Sequence, residues 1–341
     1  MKIYITGGAG FIGSNCADHY LKNGHEVIIF DDLSRPGSRL NLEWLQAGHG
    51  ERLDFIEGDV RSYEAVADSV VDADVVIHLA SQVAVTSSIE DPRTDFEINA
   101  LGTLNVIEAV RHNCPTAVLI YASTNKVYGS LSSVRIVEGS SRYEFAEFTD
   151  GIPENFPVDF HSPYGCSKGA GDQYVIDYAR IYGLRSVSIR QSCIYGERQF
   201  GVEDQGWIAH MMITALQDRP ITIFGDGKQV RDVLHVSDLI QAYDKVIQRA
   251  DEIAGAAVNI GGGMANTLSI WSEFGPMLES LVDHPLKVKF DDVRPGDQLI
   301  YVSDNWRALS LLDWKPQVSV KEGIEALFQW IKANSALFSV T

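Results

Sequence analysis

The sequence predicts an α/β protein, built on a doubly wound parallel sheet with a smaller mixed α/β lobe after it. Two observations lead to this prediction. Short apolar runs alternate with longer amphipathic runs through the first half of the chain, which is the order expected of a parallel sheet covered by helices. The short runs are apolar at nearly every position, as expected for strands that are buried on both faces.

The first half is assigned element by element from this alternation. The longest amphipathic run, DFEINALGTLNVIEAVRHN, repeats its apolar residues with helical spacing. The predicted elements are a strand at 2–6, a helix at 11–24, strands at 25–30, 52–58 and 73–80, a helix at 95–113 and a strand at 116–123.

After Leu184 the pattern changes to short strands, loops rich in Gly, Asp and Arg, and separate helices. Neither a repeat nor a low-complexity linker divides the two halves. We therefore predict a first domain at 1–183 and a smaller lobe at 184–341 packed directly on it, with some segments of the lobe returning to the first domain. The elements predicted here are strands at 186–190 and 221–224 and helices near 235–249, 267–282 and 319–334.

Composition excludes several classes of function. The formal net charge of −18 argues against a nucleic-acid partner, because a phosphate backbone selects a basic surface. No apolar run is long enough for a membrane span, and the N-terminus is not a signal peptide. The four cysteines are scattered, as in a protein of the reducing cytoplasm, and the nine histidines lack metal-binding spacing. We expect a cytoplasmic protein without a metal site.

A glycine-rich loop, ITGGAGFIG, follows the first strand and opens the first helix. Gly7 allows a tight turn, Gly10 lets a pyrophosphate approach the backbone, and Gly13 lets helix and strand pack closely. Asp31 ends the second strand, where a carboxylate accepts the ribose hydroxyls of NAD and repels the extra phosphate of NADP. On its own the loop could be a turn without a ligand, but strand, loop, helix and acid occur in order. The neighbouring positions assigned to the same cofactor are Phe11, Ile12, Asp32, Ser34 and Arg35.

The stretch DFHSPYGCSKGAGDQY places Tyr164 and Lys168 four residues apart, on one face of a predicted helix. A free tyrosine has a pKa of ~10 and is a poor base at neutral pH. A nearby ammonium and a cationic nicotinamide would both favour the phenolate. An isolated pair of this kind is usually an exposed Tyr and Lys, so its meaning depends on the other motifs.

Together, the GxxGxxG loop and this pair resemble the extended short-chain dehydrogenase/reductase superfamily, which has a Rossmann-type sheet. Further marks occur in order: GDV at 58–60, HLAS at 78–81, Asn99 and STNKVYG at 123–129. The resemblance implies catalytic roles for Thr124, Tyr164 and Lys168. Singly, Asp59 could be a turn residue and Asn99 a satisfied core group. The cofactor-binding residues that the resemblance adds are Asp59, Val60, Leu79, Ala80, Gln82, Asn99, Ser123 and Gln191, together with Tyr164 and Lys168.

Two arginines, Arg231 and Arg294, stand where nucleotide-sugar enzymes of this superfamily hold the pyrophosphate, with lesser support for Arg198. Either arginine could instead form an ion pair on the surface.

The dehydratases of the superfamily carry an Asp-Glu pair directly after the catalytic Thr, whereas this chain has Asn125 and Lys126. A carboxylate pair for elimination is absent there, so an epimerase fits better than a dehydratase or a decarboxylase.

Four sequence motifs are similar to those of the CDP-tyvelose 2-epimerases, also called CDP-paratose 2-epimerases. They are STNKVYG, DFHSPYGCSKGAGDQY, DQGW and GKQVRDVLH. This resemblance implies that C2 of a CDP-sugar is oxidised by NAD, that the 2-keto sugar turns over, and that it is reduced on its other face. Two alternatives stay open: a UDP-hexose 4-epimerase with the same catalytic trio, and a non-catalytic NAD-binding sensor. The predicted substrate-binding residues are Thr124, Asn125, Lys126, His161, Ser162, Ser192, Arg198, Gln199, Arg231 and Arg294.

Assembly is predicted from the same resemblance. Relatives pair through helices that correspond here to 95–112 and 162–181, so we expect a homodimer, with a homotetramer left open. The segment 134–157 matches no pattern and is a candidate cover of the pocket.

Overall fold

The computed structural model describes residues 1–294 and 296–338. The strands are β1 (Lys2–Thr6), β2 (Glu26–Asp31), β3 (Leu53–Glu57), β4 (Val75–His78), β5 (Val118–Thr124), β6 (Ile136–Glu138), β7 (Tyr143–Phe145), β8 (Arg185–Gln191), β9 (Cys193–Tyr195), β10 (Ile221–Phe224), β11 (Val230–His235), β12 (Ala257–Ile260), β13 (Thr267–Ser269), β14 (Val288–Asp291) and β15 (Ile300–Tyr301). The helices are α1 (Phe11–Lys22), α2 (Ser38–His49), α3 (Tyr63–Ser69), α4 (Val85–Glu90), α5 (Pro92–Phe96), α6 (Gly102–Asn113), α7 (Ser162–Tyr182), α8 (Trp207–Leu216), α9 (Val236–Ile253), α10 (Phe274–Val282), α11 (Trp306–Leu312) and α12 (Val320–Ala333). Short 3-10 turns lie at Gly50–Arg52, Asn125–Tyr128, Met264–Asn266 and Ser335–Phe338, and a π-helical turn spans Glu97–Leu101.

Seven parallel strands form the central sheet in the order β12-β8-β5-β4-β1-β2-β3. The chain winds from β1 to β3 in one direction and then from β4 to β12 in the other, so the direction reverses between β1 and β4. This is the doubly wound order of a Rossmann-type sheet. The predicted fold class is confirmed.

Helices cover both faces of this sheet because its strands are apolar on both sides. Ile3 and Ile5 of β1 pack with α1 and α9 on one face, whereas Tyr4 packs with α3 and α6 on the other. All three side chains are fully buried. Successive residues of a strand point to opposite faces, so burial on both sides requires the continuous apolar runs from which the strands were predicted.

The predicted strands of the first half all occur, and the predicted helix at 95–113 is part of a longer helical region. It comprises α5, the π-helical turn and α6 rather than one regular helix. Asp91 caps α5 by accepting from the backbone N–H of Thr94, and Pro92 occupies the first turn, where its missing N–H costs nothing.

The predicted helix at 267–282 is wrong in its first part. Residues 267–269 form β13, which pairs antiparallel with β11, and the helix begins only at Phe274. Pro276 explains the start, because a proline is tolerated in the first helical turn but not farther inside a helix. The helices predicted near 235–249 and 319–334 are present as α9 and α12.

A smaller lobe is built from β9, β10, β11, β13, β14 and β15 with α8, α10 and α12, around its own apolar core. Two strands beyond residue 183, β8 and β12, lie in the seven-stranded sheet, and α9 packs on it. The sheet thus recruits segments from the second half of the chain. The division into a domain at 1–183 that binds NAD and a lobe at 184–341 that mainly binds the nucleotide sugar stays a prediction.

Candidate active site

A cleft of about 670 Å³ lies between the carboxyl end of the central sheet and the smaller lobe. Its walls include Gly7 and Asp31 after β1 and β2, and Arg231 and Trp207 from the smaller lobe. In open α/β sheets, ligands bind at the carboxyl ends of strands where the winding reverses. The cleft is therefore placed where the fold predicts a ligand.

The glycine loop has the geometry that its spacing predicted. Gly7 has a φ of +68°, and a Cβ atom there would lie 2.7 Å from the backbone nitrogen of Ala80. A Cβ at Gly13 would lie 2.2 Å from the carbonyl oxygen of Gly7, so α1 can approach the loop only without a side chain. Gly10 is less crowded, since a Cβ there would meet only the Gly7 oxygen, at 3.2 Å.

Helix α1 points its N-terminus into this cleft. Gly10 is its N-cap and offers no side chain to the first backbone N–H groups, and the first turn holds no acid. Phe11 and Ile12 line the cleft. Uncapped N–H groups and the helix dipole together favour an anion at this point. The loop and helix therefore fit the pyrophosphate of a dinucleotide.

Asp31 lies at the end of β2, is 8% exposed and also lines the cleft. One carboxylate oxygen accepts from the backbone N–H of Ala9 at 3.0 Å and the other from that of Leu33 at 2.8 Å. Burial raises the pKa of Asp31, while these hydrogen bonds oppose the rise. The carboxylate keeps acceptor capacity for a ribose hydroxyl, which fits NAD. The predicted neighbours Asp32, Ser34 and Arg35 line the same end of the cleft.

Asp59 and Val60, both predicted to bind the cofactor, line the cleft. The Asp59 carboxylate accepts from the Arg61 backbone N–H at 2.9 Å and from its Nε at 2.8 Å. The Arg61 hydrogen bond lowers the pKa of Asp59, so this carboxylate is charged at neutral pH.

The loop after β4 contributes Leu79, Ala80 and Gln82 to the cleft. Asn99 lies behind that loop, is 1% exposed and is not among the lining residues. Its Oδ1 accepts from the Gln82 backbone N–H at 2.9 Å, and its Nδ2 donates to the Gln82 carbonyl oxygen at 2.8 Å. Asn99 therefore fixes the loop that forms this wall, and its predicted contact with the cofactor stays a prediction.

Thr124, Tyr164 and Lys168 come together at the cleft, which all three line. Thr124 ends β5, and Tyr164 and Lys168 lie one turn apart on α7. The Thr124 hydroxyl forms a hydrogen bond with Tyr164, and the Lys168 ammonium lies 4.4 Å from the centre of the Tyr121 ring. The structure thus assembles the predicted trio.

Burial controls the protonation of this trio. It raises the pKa of Tyr164 to about 12, although the Thr124 hydrogen bond lowers it. It also lowers the pKa of Lys168 to about 7, against the negative charges of Asp95 and Asp172. Desolvation thus disfavours both charged forms in the protein alone. That Lys168 and a cationic nicotinamide together favour the phenolate stays a prediction for the cofactor-bound enzyme.

A buried ion pair between Asp172 and Arg190 ties α7 to the sheet, with an N···O distance of 2.8 Å. The hydroxyl of Ser123, predicted to touch the cofactor, donates to Asp172 at 2.8 Å although the residue lines the cleft. Its side chain thus serves the framework next to Thr124. No sequence pattern indicates this ion pair, because Asp and Arg are ordinary surface residues unless their partner is known.

The smaller lobe closes the sugar end of the cleft. Asn125 and Lys126 follow Thr124 and both donate to Gln298 Oε1, at 3.4 Å each. Arg231 is 5% exposed, and its Nη2 donates to Asp297 Oδ1 at 2.5 Å. The predicted residues Asn125, Lys126 and Arg231 therefore converge on one turn.

Arg294 and Arg198 also line the cleft. Arg294 donates to the carbonyl and the side chain of Glu203, both at 3.0 Å, and its guanidinium lies 3.7 Å from the centre of the Phe224 ring. Arg198 stacks 3.9 Å from the centre of a ring of Trp44, which ties the smaller lobe to α2.

Two predicted sugar contacts, His161 and Ser162, are not among the lining residues. His161 is the N-cap of α7, and the Ser162 hydroxyl accepts from the backbone N–H of Gly165 at 3.2 Å. Both residues lie at the start of α7.

Residues 134–157 do not line the cleft either. An ion pair between Arg142 and Glu273, at 2.6 Å, holds their hairpin to the smaller lobe. The prediction that this segment covers the pocket is therefore wrong. The remaining predicted residues, Gln191, Ser192 and Gln199, do line it.

The sequence analysis assigned no ligand-binding role to the segment 203–207, although DQGW was one of its motifs, or to Asp297; all of these residues line the cleft. Asp204 Oδ2 accepts from the Thr86 hydroxyl at 3.0 Å, bridging the smaller lobe to α4. For Asp297, only its position three residues after Arg294 could have indicated that it lines the cleft.

Across the described residues, none of the helices has both the length and the apolar character needed to cross a bilayer.

The known proteins most similar to this chain include several epimerases that act on nucleotide sugars. A CDP-paratose 2-epimerase of Salmonella typhi is 44% identical over 338 residues, which cover 97% of this chain and 99% of that protein. A putative UDP-glucose 4-epimerase of Methanocaldococcus jannaschii is 33% identical, covering 98% and 99%. The crystal structure of UDP-glucuronic acid 4-epimerase from Bacillus cereus, in complex with UDP-glucuronic acid and NAD, superimposes with a TM-score of 0.85 at 30% identity, covering 98% of this chain and 100% of that one.

The family model described as "NAD dependent epimerase/dehydratase family" matches residues 3–261. With these relatives it confirms the predicted resemblance, the enzyme class and NAD as the cofactor. The chain belongs to the NAD dependent epimerase/dehydratase family.

Proposed function

We propose that this enzyme inverts C2 of a CDP-hexose, in a reaction of the CDP-paratose to CDP-tyvelose type. The observation that carries the proposal is the end of β5, where Thr124 is followed by an amide, Asn125, and an ammonium, Lys126. The relative from Salmonella typhi, a CDP-paratose 2-epimerase, supports the same assignment.

Epimerisation matches these residues better than elimination of water. Elimination needs a general acid and a general base beside the catalytic hydroxyl. Asn125 cannot exchange a proton at neutral pH, and Lys126 is engaged with Gln298 and Asp297. Neither residue supplies the carboxylate pair that a dehydratase of this family uses.

In the proposed reaction, Tyr164 exchanges the proton of the reacting hydroxyl. A hydroxyl placed beside the hydrogen-bonded pair of Tyr164 and Thr124 can pass its proton to the phenolate and accept it back after inversion. Bound NAD supplies the hydride acceptor and a cationic ring that favours the phenolate. Lys168, one turn along α7, adds positive charge on the same face. Between the two proton transfers, the 2-keto sugar presents its opposite face.

A UDP-hexose 4-epimerase with the same trio is the second candidate. It is favoured by the relative from Methanocaldococcus jannaschii, a putative UDP-glucose 4-epimerase, and by the UDP-glucuronic acid complex of the Bacillus cereus enzyme. The two candidates differ in the reacting carbon and the nucleotide base.

The test is proton NMR of the purified protein with CDP-paratose in deuterated water, without added cofactor. We expect a new anomeric signal with manno-type coupling at C2 and no deuterium at that carbon, because the same hydrogen returns. Untouched CDP-paratose together with conversion of UDP-glucose to UDP-galactose would overturn the C2 assignment and support the second candidate.

Tyr164→Phe separates an enzyme from a non-catalytic NAD sensor. Loss of the phenol should abolish turnover while NAD binding, followed by fluorescence, persists. Tyr143→Phe is the matched control, because Tyr143 lies outside the cleft and bonds only Asp226 in an exposed position, at 2.7 Å. An unchanged rate for Tyr164→Phe would contradict the proposed base.

We further propose that the enzyme is a homodimer paired through the helices at 95–112 and 162–181, with a homotetramer as the alternative. Several large apolar side chains are exposed on or next to these helices, as expected of a contact surface. They are Phe96, Leu101, Tyr174 and Ile181, with Ile89 and Tyr182 next to them.

A further inference from the structure

We propose that residues 197–204, called here the strap, close the groove that holds NAD, and that the stacking of Arg198 on Trp44 latches the strap. Asn41 fastens the strap to the glycine loop and is itself a cofactor-binding residue. The inference uses NAD as the cofactor of the family and does not depend on which carbon of the sugar reacts.

The strap crosses the cleft where the winding of the sheet reverses. It lies between β9 and α8, and its residues 198–201, 203 and 204 line the cleft. Its first residues contact α1 and α2, on the side of β1 and β2, whereas its last residue contacts α4, on the side of β4. A dinucleotide binds across the crevice between those strands. The strap therefore spans the predicted position of NAD.

Asn41 of α2 joins the strap to the glycine loop. Its Nδ2 donates to the carbonyl oxygens of Ala9 and Arg198, at 3.3 Å each. Asn15 of α1 adds a second tie, because its Nδ2 donates to the carbonyl oxygen of Glu197 at 2.9 Å. The main chain of the strap is thereby held against the two helices that follow β1 and β2.

Asn41 also keeps an acceptor that no described residue uses. The residue is 1% exposed and lines the cleft, and its Oδ1 is buried without a hydrogen-bond partner. A buried acceptor left unpaired costs stability, so we expect a ligand to supply the donor. The backbone N–H of Ala9 donates to Asp31, the predicted ribose acceptor. A ribose hydroxyl of NAD is therefore the donor that fits Asn41 Oδ1.

The latch is a strained residue held by aromatic rings. Arg198 has a φ of +68°, which residues other than glycine adopt only at a cost. Its guanidinium lies 3.9 Å from the centre of a Trp44 ring and 5.6 Å from that of a Trp330 ring. Phe200 packs against Gly37 at the start of α2, where a Cβ atom would overlap the phenyl ring. Both side chains thus hold the strap on α2.

The other end of the strap is tied to α4. Asp204 Oδ2 accepts from the hydroxyls of Thr86 and Ser87, at 3.0 and 3.4 Å. Every tie at the two ends joins protein atoms to protein atoms. NAD therefore enters and leaves the groove only as often as these ties open.

The test is the exchange of NAD in the absence of any sugar. Holoenzyme that carries isotopically labelled NAD is chased with excess unlabelled NAD, and the retained label gives the rate of release. Protein freed of NAD with charcoal gives the rate of association, from the quenching of tryptophan fluorescence. The ratio of the two rates is the Kd.

Arg198→Met should raise the rates of release and association together, by roughly threefold to thirtyfold, the range of one cation–π contact. The Kd should not change, because the latch contacts the protein instead of NAD. Thr86→Val frees the other end of the strap and should also raise both rates. Arg135→Met is the matched control, since Arg135 pairs with Glu147 at 3.8 Å outside the cleft and both side chains are exposed. It should leave both rates unchanged.

Asn41→Ala should behave differently, because it removes a contact with NAD as well as a tie. The Kd should weaken by roughly twofold to tenfold, the range of one hydrogen bond, with release accelerated more than association. Asn113→Ala is the matched control. Asn113 is exposed and donates to the carbonyl oxygen of Ala67 at 3.1 Å, so its loss should leave the Kd unchanged.

Three results would overturn the inference. Unchanged release by both Arg198→Met and Thr86→Val would show that the strap does not limit exchange. Faster release by Arg198→Met at an unchanged association rate would show that Arg198 binds NAD directly and is not a latch. An unchanged Kd for Asn41→Ala would refute the cofactor contact. If Arg198→Met fails to fold, Thr86→Val still decides whether the strap limits exchange.

Failure of the proposed function can be distinguished from failure of this inference. A protein whose strap variants exchange NAD faster but that leaves CDP-paratose untouched retains the strap and loses the proposed reaction. A protein that converts CDP-paratose while both strap variants exchange NAD at the unaltered rate retains the reaction and loses the strap.

Discussion

Replacing Asp172 by Asn should strongly destabilise the protein, because it removes the charge that balances a buried arginine. Asp172 is 0% exposed and Arg190 is 4% exposed. One carboxylate oxygen accepts from Ser123, Ser188 and Arg190 Nε at 2.8, 2.5 and 3.1 Å. The other accepts from Arg190 Nη2 at 2.8 Å and Gln173 at 3.0 Å. An amide nitrogen in place of that second oxygen would face two donors.

The expected cost follows from these contacts. Removing one partner of a buried ion pair costs about 3–5 kcal/mol, because the other charge stays buried without compensation. Domains are stable by only about 5–15 kcal/mol, so the free energy of unfolding should fall by a large fraction. The melting temperature should drop by about 10 °C.

Chemical denaturation followed by circular dichroism measures this cost. Asp177→Asn is the matched control on the same helix, since Asp177 pairs with Arg180 at 3.3 Å with both side chains at least half exposed. The control should change the free energy of unfolding by less than about 0.5 kcal/mol. If Asp172→Asn costs under about 1 kcal/mol, water or a neighbouring group solvates Arg190, and the assignment of Asp172 as the anchor of α7 is refuted.

Four further predictions use other parts of the structure. Asp31→Ala should weaken NAD binding about tenfold or more in a fluorescence titration, because the ribose acceptor is lost; equal affinity would contradict its role. Gly13→Ala should prevent NAD retention and lower the melting temperature, since its Cβ would lie 2.2 Å from the Gly7 carbonyl oxygen; normal retention would show that α1 can shift. Leu101→Glu should give a monomer in light scattering, and an unchanged mass would exclude the surface formed by the helices at 95–112 and 162–181. Lys168→Met should abolish turnover yet stabilise the cofactor-free protein at neutral pH. The folded pKa of about 7 lies below the unfolded value of ~10.4, so the charged lysine costs stability in full below pH 7, and this cost is recovered between pH 7 and about 10.4. An unchanged or lower melting temperature would contradict this.

The sheet could be predicted because its signal is local. Each central strand is buried on both faces, so its run of apolar residues is visible in the sequence. Helix α2 was missed because its start depends on a contact distant in sequence: Gly37, its N-cap, has a φ of +80°, and a Cβ there would lie 2.1 Å from the Phe200 ring. Strand β13 was missed for a similar reason, since three residues become a strand only by pairing with β11.

Some residues of the candidate active site could likewise be predicted from the sequence, whereas the roles of others could not. Gly7 and Gly13 are constrained by backbone geometry within one loop, so their spacing predicts their roles. Asn99 and Ser123 are marked by the same ordered motifs, yet their side chains support the walls of the cleft. A motif reports that a residue type is needed at a position, and either a ligand or the framework can impose that need. Only the partner atoms distinguish the two, and those come from the folded structure.

Burial of the catalytic trio has a consequence for how the enzyme limits its chemistry. With Tyr164 at a pKa of about 12 and Lys168 at about 7, the protein alone holds a neutral phenol beside a partly deprotonated amine at pH 7. In the proposed reaction, solvent exposure would relax both values but would also admit water to the keto sugar. Because the same desolvation strengthens any charge that a ligand brings, a cationic cofactor ring would act most strongly on Tyr164 in this buried setting. The low exposure of the trio would therefore make the proposed base dependent on the bound cofactor, so that proton removal from the sugar accompanies the presence of the group that accepts its hydride.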